Sequence, residues 1–288
     1  MKKQPNVALA GATGYLGQYI AKELIFLGMN PKLIARNPAK LQLHGAHQCL
    51  RAEVTQPATL RGIFEDVEVV ISTVGITRQK EGLTYMDVNY QANKNLLEEA
   101  QRAGVQKFIY VSAINGAQFR HLKIFEAKER FVDALKASGL EYTVLRPNGF
   151  FSDMKDFLQM AKSGRVYLFG DGNYKLNPIH GADLAKVCVE AIGSHQKEVE
   201  VGGPDILTQN EIAELALEAY GKAPKIVHLP DWIRKATIGL MRSFTSSKTY
   251  GPIEFFLTMM AQDNVAPREG IHRLESFFKQ EADALEKV

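Results

Sequence analysis

The fold of this chain is decided by the stretch Val7-Ala8-Leu9-Ala10-Gly11-Ala12-Thr13-Gly14-Tyr15-Leu16-Gly17. An apolar run ends in glycines spaced three residues apart, and apolar residues then recur on one helical face until Gly28. This pattern predicts a strand, a glycine turn and a helix, with a second strand over 32–35. In such a turn the first glycine bends the chain, the second admits a pyrophosphate to the backbone, and the third lets helix and strand pack. The stretch therefore predicts a dinucleotide site at the helix N-terminus, with a tightly packed glycine turn as the alternative.

The composition narrows the class of protein. The chain has 288 residues, 23% of them charged and 45% hydrophobic, and a formal net charge of +3, which is too small to indicate a nucleic-acid partner. No apolar run approaches the roughly 18 residues of a membrane span, and Met1-Lys2-Lys3 precedes no signal-peptide core. Cys49 and Cys188 match no metal spacing and are expected to be buried thiols. We therefore expect a cytoplasmic protein without a metal or a nucleic-acid partner. These features leave open whether it is a monomer or a homodimer and which small-molecule substrate it takes.

Apolar runs typical of strands alternate with helical patterns through the first half of the chain. The expected strands are 48–51, 67–74, 107–112 and 142–145, and the expected helices are 57–64, 88–103 and 124–137. Such alternation predicts parallel strands with right-handed crossovers. After Arg146-Pro147 the pattern changes to turns, short strands and helices. We predict an α/β fold: a doubly wound parallel sheet (Rossmann) over 1–150, and a smaller C-terminal α+β lobe over 151–288 that returns some segments to it.

The residues after the second predicted strand bear on which dinucleotide is bound. Sites for NAD usually place an acidic residue about 20 positions after the glycines, where it binds the ribose 2′-OH. This chain has no acidic residue between Glu23 and Glu53, and Arg36 follows the strand. A guanidinium there would bind a 2′-phosphate, although a solvated surface arginine is the alternative. The sequence therefore favours NADP(H) over NAD(H).

Motifs along nearly the whole chain resemble those of the atypical short-chain dehydrogenases/reductases. Beyond the glycine turn they are Glu53-Val54, Ser72-Thr73-Val74-Gly75, Val88-Asn89, Tyr110-Val111-Ser112 and Leu145-Arg146-Pro147-Asn148-Gly149-Phe150. Later motifs, Phe169-Gly170-Asp171-Gly172 and Gly202-Gly203-Pro204 among them, resemble the NmrA-like and divinyl chlorophyllide reductase-like members. The charge pattern gives Arg36 as one cofactor-binding residue. The others are implied by the resemblance: Gly11, Thr13, Gly14, Tyr15, Leu16, Gly17, Glu53, Val54, Thr73, Val74, Gly75, Lys128, Pro147, Asn148, Gly149 and Phe150.

The same resemblance bears on catalysis. Enzymes of this family carry a Tyr-x-x-x-Lys pair on one helix, in which the lysine holds the nicotinamide ribose and the tyrosine relays a proton. The lysine corresponds to Lys128, but the residue four positions earlier is Ile124, which cannot carry a proton. Ser112 and Asn89 match the family's serine and asparagine. The resemblance therefore implies Lys128, Ser112 and Asn89 as candidate catalytic residues.

Two functions remain open on these grounds. In the first, the protein is an NADPH-dependent reductase of a small organic substrate such as an enone or a quinone, and it works without that tyrosine. Its proton would come from water or from another side chain, for which the candidates are Tyr85, Tyr90, His121 and His180. In the second, the protein only binds NADP(H), as a redox sensor or an assembly factor like the NmrA group.

One segment of the C-terminal half is both basic and amphipathic. Over 231–244, apolar residues recur at helical spacing beside Arg234, Lys235 and Arg242. Such helices pack against the rest of a protein or a second subunit, or they lie on a membrane. The sequence leaves membrane contact through 231–244 as the less favoured alternative.

Overall fold

A computed structural model describes residues 4–41, 43–79 and 82–286 of the chain. Met1-Lys2-Lys3, on which the expectation about a signal peptide rests, therefore lies outside the described residues. The strands are β1 (Val7–Ala10), β2 (Lys32–Ala35), β3 (Gln48–Arg51), β4 (Val69–Ser72), β5 (Lys107–Val111), β6 (Glu141–Pro147), β7 (Val166–Phe169), β8 (Lys175–Leu176), β9 (Glu198–Val201), β10 (Leu207–Thr208) and β11 (Ile226–Leu229). The helices are α1 (Tyr15–Phe26), α2 (Asn93–Arg102), α3 (Lys123–Lys136), α4 (Lys155–Lys162), α5 (Gly181–Glu190), α6 (Gln209–Glu218), α7 (Asp231–Phe244), α8 (Ser247–Met259) and α9 (Leu274–Glu286).

The chain forms two compact units. The first comprises Met1–Arg146 and Leu184–Val199, and the second comprises Pro147–Asp183 and Glu200–Val288. The first unit is built on a parallel sheet with the strand order β3-β2-β1-β4-β5-β6-β9. The strand order reverses between β1 and β4, as it does in doubly wound sheets that bind nucleotides. The predicted α/β Rossmann fold is therefore confirmed.

The sheet lies in the middle of the first unit's core. Every residue of β1, β4 and β5 is buried, which explains why these strands are almost entirely apolar in sequence. Phe108 and Tyr110 of β5 pack against Phe131 of α3, with ring centroids 5.9 and 4.6 Å away. This packing fixes α3 against the strand that precedes Ser112.

Three local expectations differ from the structure. The helix expected over 57–64 is only a 3₁₀ turn, Pro57–Leu60, because the backbone becomes extended at Arg61 and Gly62 then takes a left-handed conformation with φ of 78°. The helix expected over 88–103 begins as a π-helical segment, Met86–Ala92, and continues as α2. Cys188 is buried as expected, but Cys49 is exposed because β3 lies at the edge of the sheet.

The second unit has its own core and small sheets. Strand β7 pairs in parallel with β11, and β8 pairs antiparallel with β10. Aromatic and aliphatic side chains of α4, α6 and α9 fill the core, including Phe157, Leu217 and Phe278. Within the described part of the chain, no helix has the length and apolar character needed to cross a bilayer.

Candidate functional site

The glycine turn between β1 and α1 has the geometry that its spacing predicts. Gly11 adopts a φ of 85°, and a Cβ there would lie 2.6 Å from Thr73 Oγ1. The N–H of Gly14 donates to the carbonyl of Gly11 across 2.9 Å. A Cβ on Gly17 would clash with the Gly11 carbonyl and lie 2.9 Å from Ala12 Cα. Gly11 and Gly17 are therefore required by the packing of the chain itself.

Gly14 differs from its two neighbours. Its backbone is extended, with φ of −73° and ψ of 168°, which any residue can adopt. A Cβ there would lie 3.2 Å from the Gly11 carbonyl oxygen and within 4 Å of no other described atom, apart from its chain neighbours. Gly14 also lines a cleft, so a side chain at this position would project into it. The packing requires glycine less strictly at residue 14 than at residues 11 and 17, whereas a ligand against the backbone would require it.

The N-terminus of α1 is suited to an anion. Gly14 is the N-cap, and among the described residues no side chain caps the helix and no acidic residue lies in its first turn. The first N–H groups of a helix have no carbonyl partner within the helix, and the helix dipole is positive at that end. This end therefore fits the pyrophosphate of a dinucleotide.

The cleft at the carboxyl ends of β1, β2 and β4 has a volume of about 310 Å³. Of the predicted cofactor residues it is lined by Gly11, Thr13, Gly14, Arg36, Glu53, Val54, Thr73, Val74 and Gly75. Leu16 and Gly17 are instead buried in α1, and Tyr15 packs edge-on against Tyr19 at 5.4 Å. Lining residues that sequence reasoning missed are Ile34, Ala35, Ala52, Thr55, Ile76, Arg78, Leu83 and Val88. What these residues share in the sequence is their position. Each lies at the end of a strand that reaches the cleft, just after such a strand, or in the segment that follows it and faces the cleft.

A second hollow of about 490 Å³ lies at the opposite, amino ends of the strands, near Asn6, Lys32 and Gln48. Open α/β sheets bind their ligands outside the carboxyl ends of the strands, at the point where the strand order reverses. The cleft beside Gly14 meets that condition and the other hollow does not. We therefore place the candidate dinucleotide site beside Gly14.

Charged groups gather at the β2 end of the cleft. The Nε of Arg36 lies 3.7 Å from Oε2 of Glu53, and the guanidinium is largely exposed. Glu53 is held by Thr55, whose N–H and hydroxyl donate to Oε1 across 3.3 and 3.0 Å. Arg78 adds a second guanidinium to the lining. The first acidic residue after Glu23 in sequence is thus beside Arg36 in space, because β2 and β3 are neighbours.

Lys128 and Asn89 converge on the loop that follows β4. A Cβ built on Gly75 would lie 3.4 Å from both Asn89 Oδ1 and Lys128 Nζ. The buried Asn89 amide accepts from the N–H of Ile76 at 2.7 Å and donates to its carbonyl at 3.2 Å, which fixes this loop. Lys128 Nζ donates to the carbonyl of Val111 across 3.3 Å. Burial lowers the pKa of Lys128 to about 8.

The Ser112 side chain is hydrogen-bonded to a buried ion pair. Its hydroxyl donates to Oε1 of Glu129 across 3.1 Å. The Glu129 carboxylate accepts two hydrogen bonds from Arg146, at 2.7 and 3.0 Å, and both side chains are buried. Arg146 also donates to Glu198 at 2.7 Å. Ile124 is buried in the core, so an apolar side chain occupies the position at which the sequence resemblance implies a tyrosine.

The side chains considered as other proton donors have partners of their own. The hydroxyl of Tyr85 donates to the carbonyl of Thr77 across 2.7 Å, and burial raises the pKa of Tyr85 to about 12. Tyr90 lies under the Arg130 guanidinium, 4.7 Å from its ring centroid. His121 packs against Phe119, and His180 stacks on His272 with centroids 4.2 Å apart. None of these contacts involves the lining of the cleft.

In the second unit, Pro147 ends β6, and the other predicted cofactor residues Asn148, Gly149 and Phe150 form a loop held by its own contacts. The Asn148 amide donates to Asn177 Oδ1 across 2.9 Å, and its oxygen accepts from the N–H of Gly149 at 2.8 Å. The carbonyl of Gly149 accepts from Ile179 N at 2.9 Å. The Asn148 side chain is therefore satisfied within this unit, and a role toward a cofactor stays a prediction.

Comparison with known proteins agrees with this geometry. A family model described as NAD(P)H-binding matches residues 11–195. The divinyl chlorophyllide a 8-vinyl-reductase of Arabidopsis thaliana is 29% identical over 267 residues, covering 84% of this chain and 64% of that protein. The photosystem II assembly factor Ycf39 of Synechocystis is 26% identical over 248 residues, covering 83% of this chain and 74% of that protein.

A solved structure shares the fold. The NADPH-dependent quinone oxidoreductase of Escherichia coli, crystallised with NADPH, aligns with a TM-score of 0.70 at 19% identity, covering 97% of this chain and 99% of that chain. The present chain spans less than two thirds of the length of the Arabidopsis reductase. The family match covers more than half of the chain and begins at the first glycine of the turn. The predicted class of cofactor, a nicotinamide dinucleotide, is thereby confirmed, and the chain belongs to the NAD(P)H-binding family of Rossmann-fold proteins with reductase-like members.

Proposed function

We propose that this protein is an NADPH-dependent reductase of a small organic substrate, such as an enone or a quinone, in which Lys128 not only holds the nicotinamide ribose, as the sequence resemblance implies, but also supplies the proton. The observation that carries the proposal is the convergence of Lys128 Nζ and Asn89 on Gly75, which lines the cleft. NADPH, when bound, supplies a hydride. Reduction of a polarised double bond also needs a proton, and a group with a pKa near the working pH delivers it best. Burial brings the pKa of Lys128 into that range.

The other residues in this proposal bind the cofactor and fix the loop beside Lys128. The α1 N-terminus and the backbone at Gly14 would hold the pyrophosphate, and Arg36 would hold the 2′-phosphate. Asn89 fixes the loop at Ile76, so that Gly75 keeps its place beside Lys128. Ile124 lies in the apolar core and takes no part in proton transfer.

A panel of substrates tests the activity. Purified protein is mixed with NADPH and with quinones, enones and aldehydes in turn, and NADPH oxidation is followed by absorbance. Turnover of at least one class, lost in Lys128→Ala and kept in Lys123→Ala, supports the proposal. Lys123 is the control because it lies on the same helix, exposed and paired with Glu126. NADPH binding without turnover of any class contradicts the reductase.

The pH dependence tests the role of Lys128. We expect kcat to fall as the pH rises through about 8, because Nζ then loses the proton that it must donate. Lys128→Ala should lower kcat about 100-fold or more and remove this alkaline decline. Lys128→Arg should bind NADPH but turn over slowly, since a guanidinium does not release its proton. A rise in the NADPH KM with unchanged kcat in Lys128→Ala would restrict the lysine to holding the ribose.

Cofactor preference gives a separate prediction. We expect NADPH to bind about 10- to 150-fold more tightly than NADH, because one charge-assisted hydrogen bond is worth roughly 1.5–3 kcal/mol. Arg36→Gln should remove most of this difference. Arg51→Gln is the control, because Arg51 ends the neighbouring strand β3 but does not line the cleft. Calorimetric titration of each variant with both cofactors measures the affinities, and equal affinities in the wild type would exclude this role for Arg36.

One observation favours a second candidate function. The Ser112 hydroxyl donates to Glu129, and the tyrosine position is Ile124, so neither side chain is arranged to deliver a proton. A protein that binds NADP(H) without turnover, as a redox sensor or an assembly factor, would need neither side chain to deliver a proton. Tight NADPH binding with no oxidation by any substrate class would establish this alternative over the reductase.

A further inference from the structure

We propose that α7 lies on an anionic membrane surface, with Trp232, Leu240 and Phe244 inserted into the interface. This inference concerns the second unit alone and does not depend on the proposed reductase activity. It follows from the exposure, the spacing and the charge of the residues of α7.

Seven residues of helix α7 are exposed and the other seven are partly buried. It has 14 residues, and none of them is buried. The exposed fractions of Trp232, Leu240 and Phe244 are 67, 59 and 80%. Single exposed apolar residues are normal on a protein surface, but three large ones on one helix mark an interaction site. On neighbouring α8, Ile253 and Phe256 are also exposed.

The apolar residues occupy one flank of the exposed face. Trp232, Leu240 and Phe244 are separated by eight and four positions, which places them within about 120° around the helix axis. Lys235 and Arg242 lie on the other flank of Trp232, and both are exposed. An apolar flank beside a basic flank, with a tryptophan between them, is typical of helices that lie in the headgroup region of a bilayer.

Charge favours an anionic lipid surface as the occupant. Between 231 and 259 the chain carries four basic and two acidic residues. Asp231 is already paired with Arg234 and Lys235, and Arg242 reaches Glu254 of α8. Because there are four basic residues and two acidic ones, this stretch keeps a net charge of +2, to which anionic headgroups would bind. A two-fold dimer through this face would instead set the basic flank of one copy against the basic or apolar flank of the other.

The single tryptophan of the chain makes the test specific, because Trp232 is the only source of indole fluorescence. Full-length protein is titrated with vesicles of phosphatidylcholine alone and of phosphatidylcholine mixed with phosphatidylserine. We expect a blue shift of the emission with the mixed vesicles, weaker at high salt, and co-flotation of the protein. Phe244→Ser should weaken binding about 10-fold or more, since a buried phenyl group is lost from the interface.

Two matched controls separate this surface from general effects. Phe26→Ser removes a phenyl group that is 83% exposed at the end of α1, and it should leave vesicle binding unchanged. Lys235→Glu should weaken binding to the mixed vesicles, whereas Lys279→Glu should not, although each lysine pairs with an acid four positions earlier. Absence of vesicle binding, or equal losses in the controls, would overturn the proposal. A dimer in sedimentation that Phe244→Ser disrupts, without lipid binding, would assign the face to a second copy.

Discussion

Gly14→Val is expected to give a folded protein whose affinity for NADPH falls at least about 100-fold. The backbone at Gly14 is extended, a conformation that valine favours, and the one close contact of a Cβ there is the Gly11 carbonyl oxygen at 3.2 Å, which must shift by a few tenths of an ångström. The new side chain would project into the cleft and keep a pyrophosphate away from the α1 N-terminus. Each charge-assisted hydrogen bond lost there is worth roughly 1.5–3 kcal/mol, and two such losses already exceed a 100-fold change. Calorimetric titration with NADPH measures the effect, and circular dichroism checks the fold.

Gly17→Ala serves as the contrasting variant. Its Cβ would clash with the Gly11 carbonyl and crowd Ala12 Cα, and both are backbone groups that cannot move aside cheaply. We expect this smaller substitution to destabilise the protein by about 3 kcal/mol or more. A Gly14→Val protein with normal NADPH affinity would remove the turn as the phosphate site. A Gly17→Ala protein of wild-type stability would show that the turn is looser than the contacts indicate.

Gly14 and Gly17 show what can and what cannot be predicted from the sequence. Their spacing, between an apolar run and an amphipathic helix, predicts the turn, because the turn depends on residues close together in the chain. The Rossmann fold is predicted from the alternation of strand and helix patterns over the first half of the chain. The spacing could not tell that Gly17 serves the packing and that only Gly14 faces the cleft. That difference depends on where the Gly11 carbonyl lies.

The rest of the candidate site depends on neighbours that are distant in sequence. Arg36 follows β2 and Glu53 follows β3, and only the pairing of these strands brings the two side chains within 3.7 Å. Arg78 belongs to no motif and lines the cleft because its loop follows β4. The sequence resemblance implies Ser112 as a catalytic serine, yet the Ser112 hydroxyl donates to Glu129, a contact set by the packing of α3 on the sheet. Such contacts require the tertiary structure.

The buried ion pair leads to a second large expected effect. Arg146 of β6 and Glu129 of α3 are both buried and joined by two hydrogen bonds. Removing one partner of such a pair leaves a buried charge without compensation, which typically costs about 3–5 kcal/mol. We therefore expect Arg146→Met to lower the free energy of unfolding by that amount. Glu198, the other partner of Arg146, keeps an ion pair with Lys136 and does not add to the loss.

Two further variants isolate the cause of that loss. Arg120→Met removes a guanidinium that makes two hydrogen bonds to Asp133, also on α3, but in an exposed pair, and it should cost at most about 1 kcal/mol. The double variant Glu129→Leu with Arg146→Met should recover most of the stability, because no charge is then left buried. Urea unfolding followed by circular dichroism measures all of these variants. Equal losses in Arg146→Met and Arg120→Met, or no recovery in the double variant, would mean that Arg146 stabilises α3 through its packing rather than through its charge.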